Sequence, residues 1–105
     1  MQWIVIVTPS LARIFQWSFE NLGWRENHPL LGSSLKAKAQ ELAAFIVRES
    51  KTSRIHRVTV LAETGMALQL KSALASLHPA IPFVCIPHDE SVVADQSSNE
   101  IQRGP

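Results

Sequence analysis

Glu63-Thr64-Gly65 is the segment best placed for chemistry. It follows the apolar run Val58-Thr59-Val60-Leu61-Ala62 and precedes an apolar stripe opened by Met66. A chain that leaves a strand and starts a helix there exposes the amides of Thr64, Gly65 and Met66. Such amides hold anions, and the Thr64 hydroxyl would add a donor. The alternative is an ordinary helix start, with Thr64 as cap and Gly65 easing the turn. The segment has no lysine, and Glu63 would repel a phosphate if it turned inward. A metal-dependent hydrolytic centre needs clustered carboxylates. Glu63 and Asp89 would end neighbouring strands, but the first strand ends at Thr8 and supplies no acid.

The remaining reactive side chains are dispersed. His28, His56, His78 and His88 show no ligand spacing and read as turn or surface residues. Cys85 sits in an apolar run and reads as an inert core thiol. Arg48, Lys51, Arg54 and Arg57, with His56, form the densest basic stretch. On one surface they would contact RNA phosphates; otherwise they are a solvated helix end, interrupted by Glu49. Trp17, Phe19 and Trp24 read as core and edge packing, although an exposed Trp24 would mark a partner surface or dimer seam. No catalytic residue, cofactor or metal set is expected.

These side chains must be positioned by one domain. The chain has 105 residues, 46% of them hydrophobic, enough for a single core. Ten Lys and Arg against nine Asp and Glu argue against a dedicated polyanion binder. One cysteine forbids an internal disulfide and points to a reducing, cytoplasmic setting. The amino terminus shows no signal-peptide pattern, and no apolar run reaches the roughly 18 residues of a membrane helix.

Trp3-Ile4-Val5-Ile6-Val7 is continuous and largely β-branched, so it reads as a central strand buried on both faces. Thr8-Pro9-Ser10 is a turn. In residues 14–19, Phe15, Trp17 and Phe19 alternate with Gln16 and Ser18, the period of a half-buried antiparallel strand. Residues 24–28 are a short, charged edge strand closed by Pro29. Ser33 or Ser34 caps a helix over about 34–49, whose stripe is Leu35, Ala39, Leu42 and Ile46. A strand at 58–62, a helix marked by Met66, Leu70, Ala73, Leu74 and Leu77 that ends near His78-Pro79, and a strand at 81–86 form a right-handed crossover unit with parallel strands. Residues 1–90 then form one α/β domain, and 91–105 a polar, disordered tail. The order β-β-β-α-β-α-β predicts a mixed five-stranded sheet, order 3-2-1-4-5, in a three-layer arrangement with helices covering its faces. That is a ribonuclease-H-like topology.

Trp3 to Val7, followed by Ala12-Arg13-Ile14-Phe15, resembles the opening of the bacterial host-attachment proteins. Those are relatives of the middle domain of archaeal and eukaryotic peptide-chain release factors. Asn27-His28-Pro29, Ala39-Gln40-Glu41-Leu42-Ala43, Arg57 to Ala62 and His88-Asp89 continue the likeness in order over residues 3–90. Thr8 stands where many relatives have aspartate. The segment that carries a Gly-Gly-Gln loop in release factors is reduced here to Leu30-Leu31-Gly32-Ser33. The resemblance thus implies the scaffold of a binding domain, for RNA, the ribosome or a protein, without peptidyl-tRNA hydrolysis. A rival likeness covers the last half. Val58 to Gly65 and Ala80 to Val84 look like the carboxyl-terminal domain of pyruvate kinase, which implies a phosphorylated metabolite at Thr64-Gly65 and an all-parallel sheet. A dimer paired through the edge strand of Trp24 is a third expectation.

Overall fold

The computed structural model describes residues 1–19 and 21–88. Three strands come first: β1 (Gln2–Val7), β2 (Leu11–Ser18) and β3 (Asn21–Pro29). Helix α1 (Leu35–Thr52), strand β4 (Arg57–Ala62), helix α2 (Thr64–Leu77) and strand β5 (Phe83–Pro87) follow. The sheet order is β3-β2-β1-β4-β5, with β1 antiparallel to β2 and parallel to β4. This is the mixed α/β sheet that the sequence predicts, with β1 at its centre. Asp89 and the tail at 91–105 lie outside the described residues.

Local chemistry explains the boundaries. Thr8 closes the first hairpin: its hydroxyl donates to the Leu11 carbonyl (2.9 Å) and accepts from the Leu11 amide (3.2 Å). The position expected to hold an acid is therefore a turn clamp. Ser34 caps α1 by accepting from the Ala37 amide at 3.1 Å. Glu41 reaches back and accepts from the amides of Leu31 and Gly32, fastening the β3–α1 loop to the helix. Gly32 is needed there because a Cβ would come within 2.8 Å of the Lys38 backbone nitrogen. The cap of α2 is Glu63 and not Thr64, and it makes no side-chain cap bond.

Both crossovers, β3-α1-β4 and β4-α2-β5, step the same way across the sheet. Right-handed connections then place both helices on one face. Accordingly, α1 and α2 pack on each other and share one core with Trp3, Val5, Ala12, Ile14, Val58, Val60 and Ala62. A third layer, over the opposite face, is not among the described residues.

This corrects two sequence expectations. The central run is not buried on both faces, because Trp3 and Val5 are fully buried while Ile4 and Ile6 are half-buried. The aromatic alternation of β2 points the other way from that expected. Val5 opposes Ile14 and Ile4 opposes Phe15, so Ala12 and Ile14 enter the core while Phe15 and Trp17 face outward. Phe19 is 97% exposed and lies in the turn beyond β2, with φ 47°.

Candidate functional site

Strand pairing lays out the outward face in rows. The first row is Arg57, Gln2, Trp17 and Leu22, running from β4 to β3. The second is Val84, Thr59, Ile4, Phe15 and Trp24, and the third is Ile86, Leu61, Ile6, Arg13 and Asn27. Five strands make this band about 19 Å wide. Its middle, formed by Ile4, Ile6, Phe15, Leu61 and Val84, is half-buried. Toward the edges Trp17 (42%), Trp24 (60%) and Ile86 (42%) are exposed. Soluble domains rarely leave so continuous an apolar patch without a partner.

The polar groups of this face are few. Arg13 lies over the Phe15 ring, 5.6 Å from its centroid. The Trp24 indole N–H donates to Asn27 Oδ1 at 3.3 Å. Among the described strands, the one carboxylate is Glu26. It opposes Ile14, on the helix-covered side, and pairs with Arg25 at 3.0 Å. A bulge between Ile14 and Phe15 puts Arg25 on that covered side as well, where its guanidinium lies 5.0 Å from the Trp3 ring. The outward face therefore carries arginines and no strand carboxylate.

Thr64, Gly65 and Met66 sit at the start of α2, as the sequence predicts, and their amides precede the first helical acceptor bond, Ala67 to Glu63. Beside them lies a cleft of about 270 Å³, lined by Thr8, Ser34, Lys38, Glu63 and Met66 among others. It occupies the carboxyl edge of β1 and β4, where α/β sheets commonly bind ligands. Glu63 lines the same cleft, and Lys38 Nζ donates to the Pro9 carbonyl at 2.7 Å. Lys38 brings a positive charge that an anion would favour, and Glu63 a negative one that opposes it.

The basic stretch does not form one surface. Arg48 lies over Phe45 on the helix side, whereas Arg57 stands on the outward face of β4. Lys51 lies in the last turn of α1, and Arg54 in the loop between α1 and β4. Of the candidate surface residues Arg48, Lys51, Arg54, Arg57 and Trp24, only Arg57 and Trp24 stand on the outward face, and Phe15, Trp17 and Arg13 join them there. Among the described residues no three His, Cys, Asp or Glu side chains gather as a metal set.

Cys85 is half-buried against the core. Burial pushes its thiol up from 9.0 to about 11, with Lys71 acting in the opposite direction. Its alkylation by iodoacetamide near pH 7.5 is expected to be on the order of a hundredfold slower than that of a free thiol. The folded value lies above the unfolded one. The protonated thiol's contribution to stability is thus complete below about pH 9 and lost as pH rises through about 11. Mass-spectrometric alkylation rates and thermal melts over that range check both points.

No protein-family model matches the chain, and no curated protein does. A solved structure described as "Archaeal protein" is similar over 93% of this chain, at 16% identity and a TM-score of 0.40. This chain spans 33% of that one. No helix among the described residues is long and apolar enough to cross a membrane.

Proposed function

We propose that this domain is a binding module whose working surface is the uncovered face of its sheet, and that the bound group is a segment of a protein. One observation carries the reading. Ile4, Ile6, Phe15, Trp17, Leu61, Val84 and Ile86 form a continuous apolar band with no helix over it among the described residues. Burying that band would remove apolar area from water, a gain of about 25 cal/mol per Å². An apolar protein segment supplies such burial, whereas RNA needs a phosphate-tracking basic surface, and the basic stretch is split between two sides of the sheet.

The antiparallel hairpin beside a central β1 supports a scaffold of the host-attachment and release-factor-middle-domain kind over an all-parallel pyruvate-kinase-type domain. The experiment is capture from lysate with the natural chain and with Ile6→Glu, each before and after ribonuclease treatment. A protein held by the natural chain, lost with the variant and indifferent to ribonuclease is the expected result. Loss on ribonuclease treatment would assign the face to RNA, and equal capture by both chains would end the proposal.

A further inference from the structure

The uncovered face is apolar, but its charge is one-sided. Arg13 and Arg57 are exposed, and both stand on that face. Arg13 is in the row of Ile6 on β2; Arg57 is in the row of Gln2 on β4. They are two strands and two rows apart, so they flank the apolar band diagonally. Sheet spacings put their backbones roughly 16 Å apart. Arg57 has no ion pair among the described residues, and neither has Arg13, whose neighbour is the Phe15 ring.

Resting on the reading above, we propose that the occupant is an amphipathic helix of a protein partner, with an apolar stripe flanked by acidic side chains. The helix would supply a third layer over the sheet. A span of roughly 16 Å corresponds to about 11 helical residues, or three turns. Residues i and i+11 fall on the same side of a helix, so two carboxylates at that separation would meet the two arginines while the stripe between them covers Ile4 and flanks Ile6 and Phe15. A second copy of this chain fits less well. Its matching face would bring two more arginines and no strand carboxylate to pair with them, and a guanidinium covered without a partner is costly.

The probe is a labelled synthetic peptide of about 15 residues with a leucine stripe and two glutamates set 11 apart. The controls carry lysines in place of the glutamates, or are a short oligouridylate. In anisotropy titrations the acidic peptide is expected to bind the natural chain at least about tenfold more tightly than the basic one. In the double variant Arg13→Glu, Arg57→Glu that order is expected to reverse. Equal affinity for the two peptides, no reversal, binding of the oligouridylate in preference to either, or self-association that blocks the peptide would each overturn the proposal. The two readings fail separately. If Ile6→Glu still strips a captured protein while the charge preference is absent, only the acidic helix falls; if Ile6→Glu strips nothing, the uncovered face falls with it.

Discussion

Replacing Trp3 by alanine is expected to destabilise the domain by about 3–5 kcal/mol, most of the margin of a small protein. Trp3 is the largest fully buried side chain, in the central strand. Its ring packs against Phe45 of α1 with centroids 6.1 Å apart, and the Arg25 guanidinium lies over it at 5.0 Å. His28 stacks on the same Phe45 at 4.2 Å. Removing the indole therefore opens a cavity where β3, β1 and α1 meet, and a close-packed core refills it only in part. Ile4→Ala, one residue along but on the outward face, is expected to cost only about 1 kcal/mol, because little apolar area leaves a packed environment. Trp3→Phe should fall between, since it also removes the Nε1 donor, which is buried without a partner. Urea unfolding followed by circular dichroism checks the order. Equal costs for Trp3→Ala and Ile4→Ala would mean that both faces of β1 are packed.

The second large effect is on binding. Ile6→Glu sets a carboxylate in the middle of the apolar band, between Leu61 and Arg13. In the free domain that side chain is half-buried and reaches water, so the fold should survive with its thermal midpoint lowered by a few degrees, roughly the effect of 1 kcal/mol. In the complex the charge would be covered by an apolar surface. A loss on the order of 2–4 kcal/mol, roughly 30- to 1,000-fold in affinity, is expected. Titration calorimetry with the captured partner, beside melts of the free variant, separates the two effects. Unchanged affinity in a folded variant would contradict the assignment of the face.

Much of the frame is legible in the residues. The β-branched run at the amino terminus, the helical stripe through Leu42 and Ile46, and the crossover from Val58 to Val84 sufficed for the element order and the place of β1. The side chosen by β2 was not. Ala12 and Ile14 compete with Phe15 and Trp17 for the core, and both pairs have period two. Aromatic size favoured Phe15 and Trp17, but pairing of Val5 with Ile14 turned them outward. The open face is not legible for the same reason, since a continuous apolar strand reads alike whether one of its faces is packed or both are. One signal was available: two crossovers stepping in the same direction send both helices to the same face. The sequence shows Thr8 in place of an acid, but its work in the hairpin depends on Leu11 coming back to meet it. Lys38 comes to the start of α2 from a different helix, which no local spacing around Thr64-Gly65 reveals.

The central claim is that one face of β1 is packed and the other is open for a partner. Methyl resonances of the full chain, recorded with a soluble gadolinium chelate, address it directly. Broadening is predicted for Ile4, Ile6, Leu61, Val84 and Ile86, while Val5, Ile14, Val60, Leu42 and Leu70 stay sharp. Protection of Ile4 and Ile6 equal to that of Val5 would contradict it, because the outward face would then be covered within the chain itself.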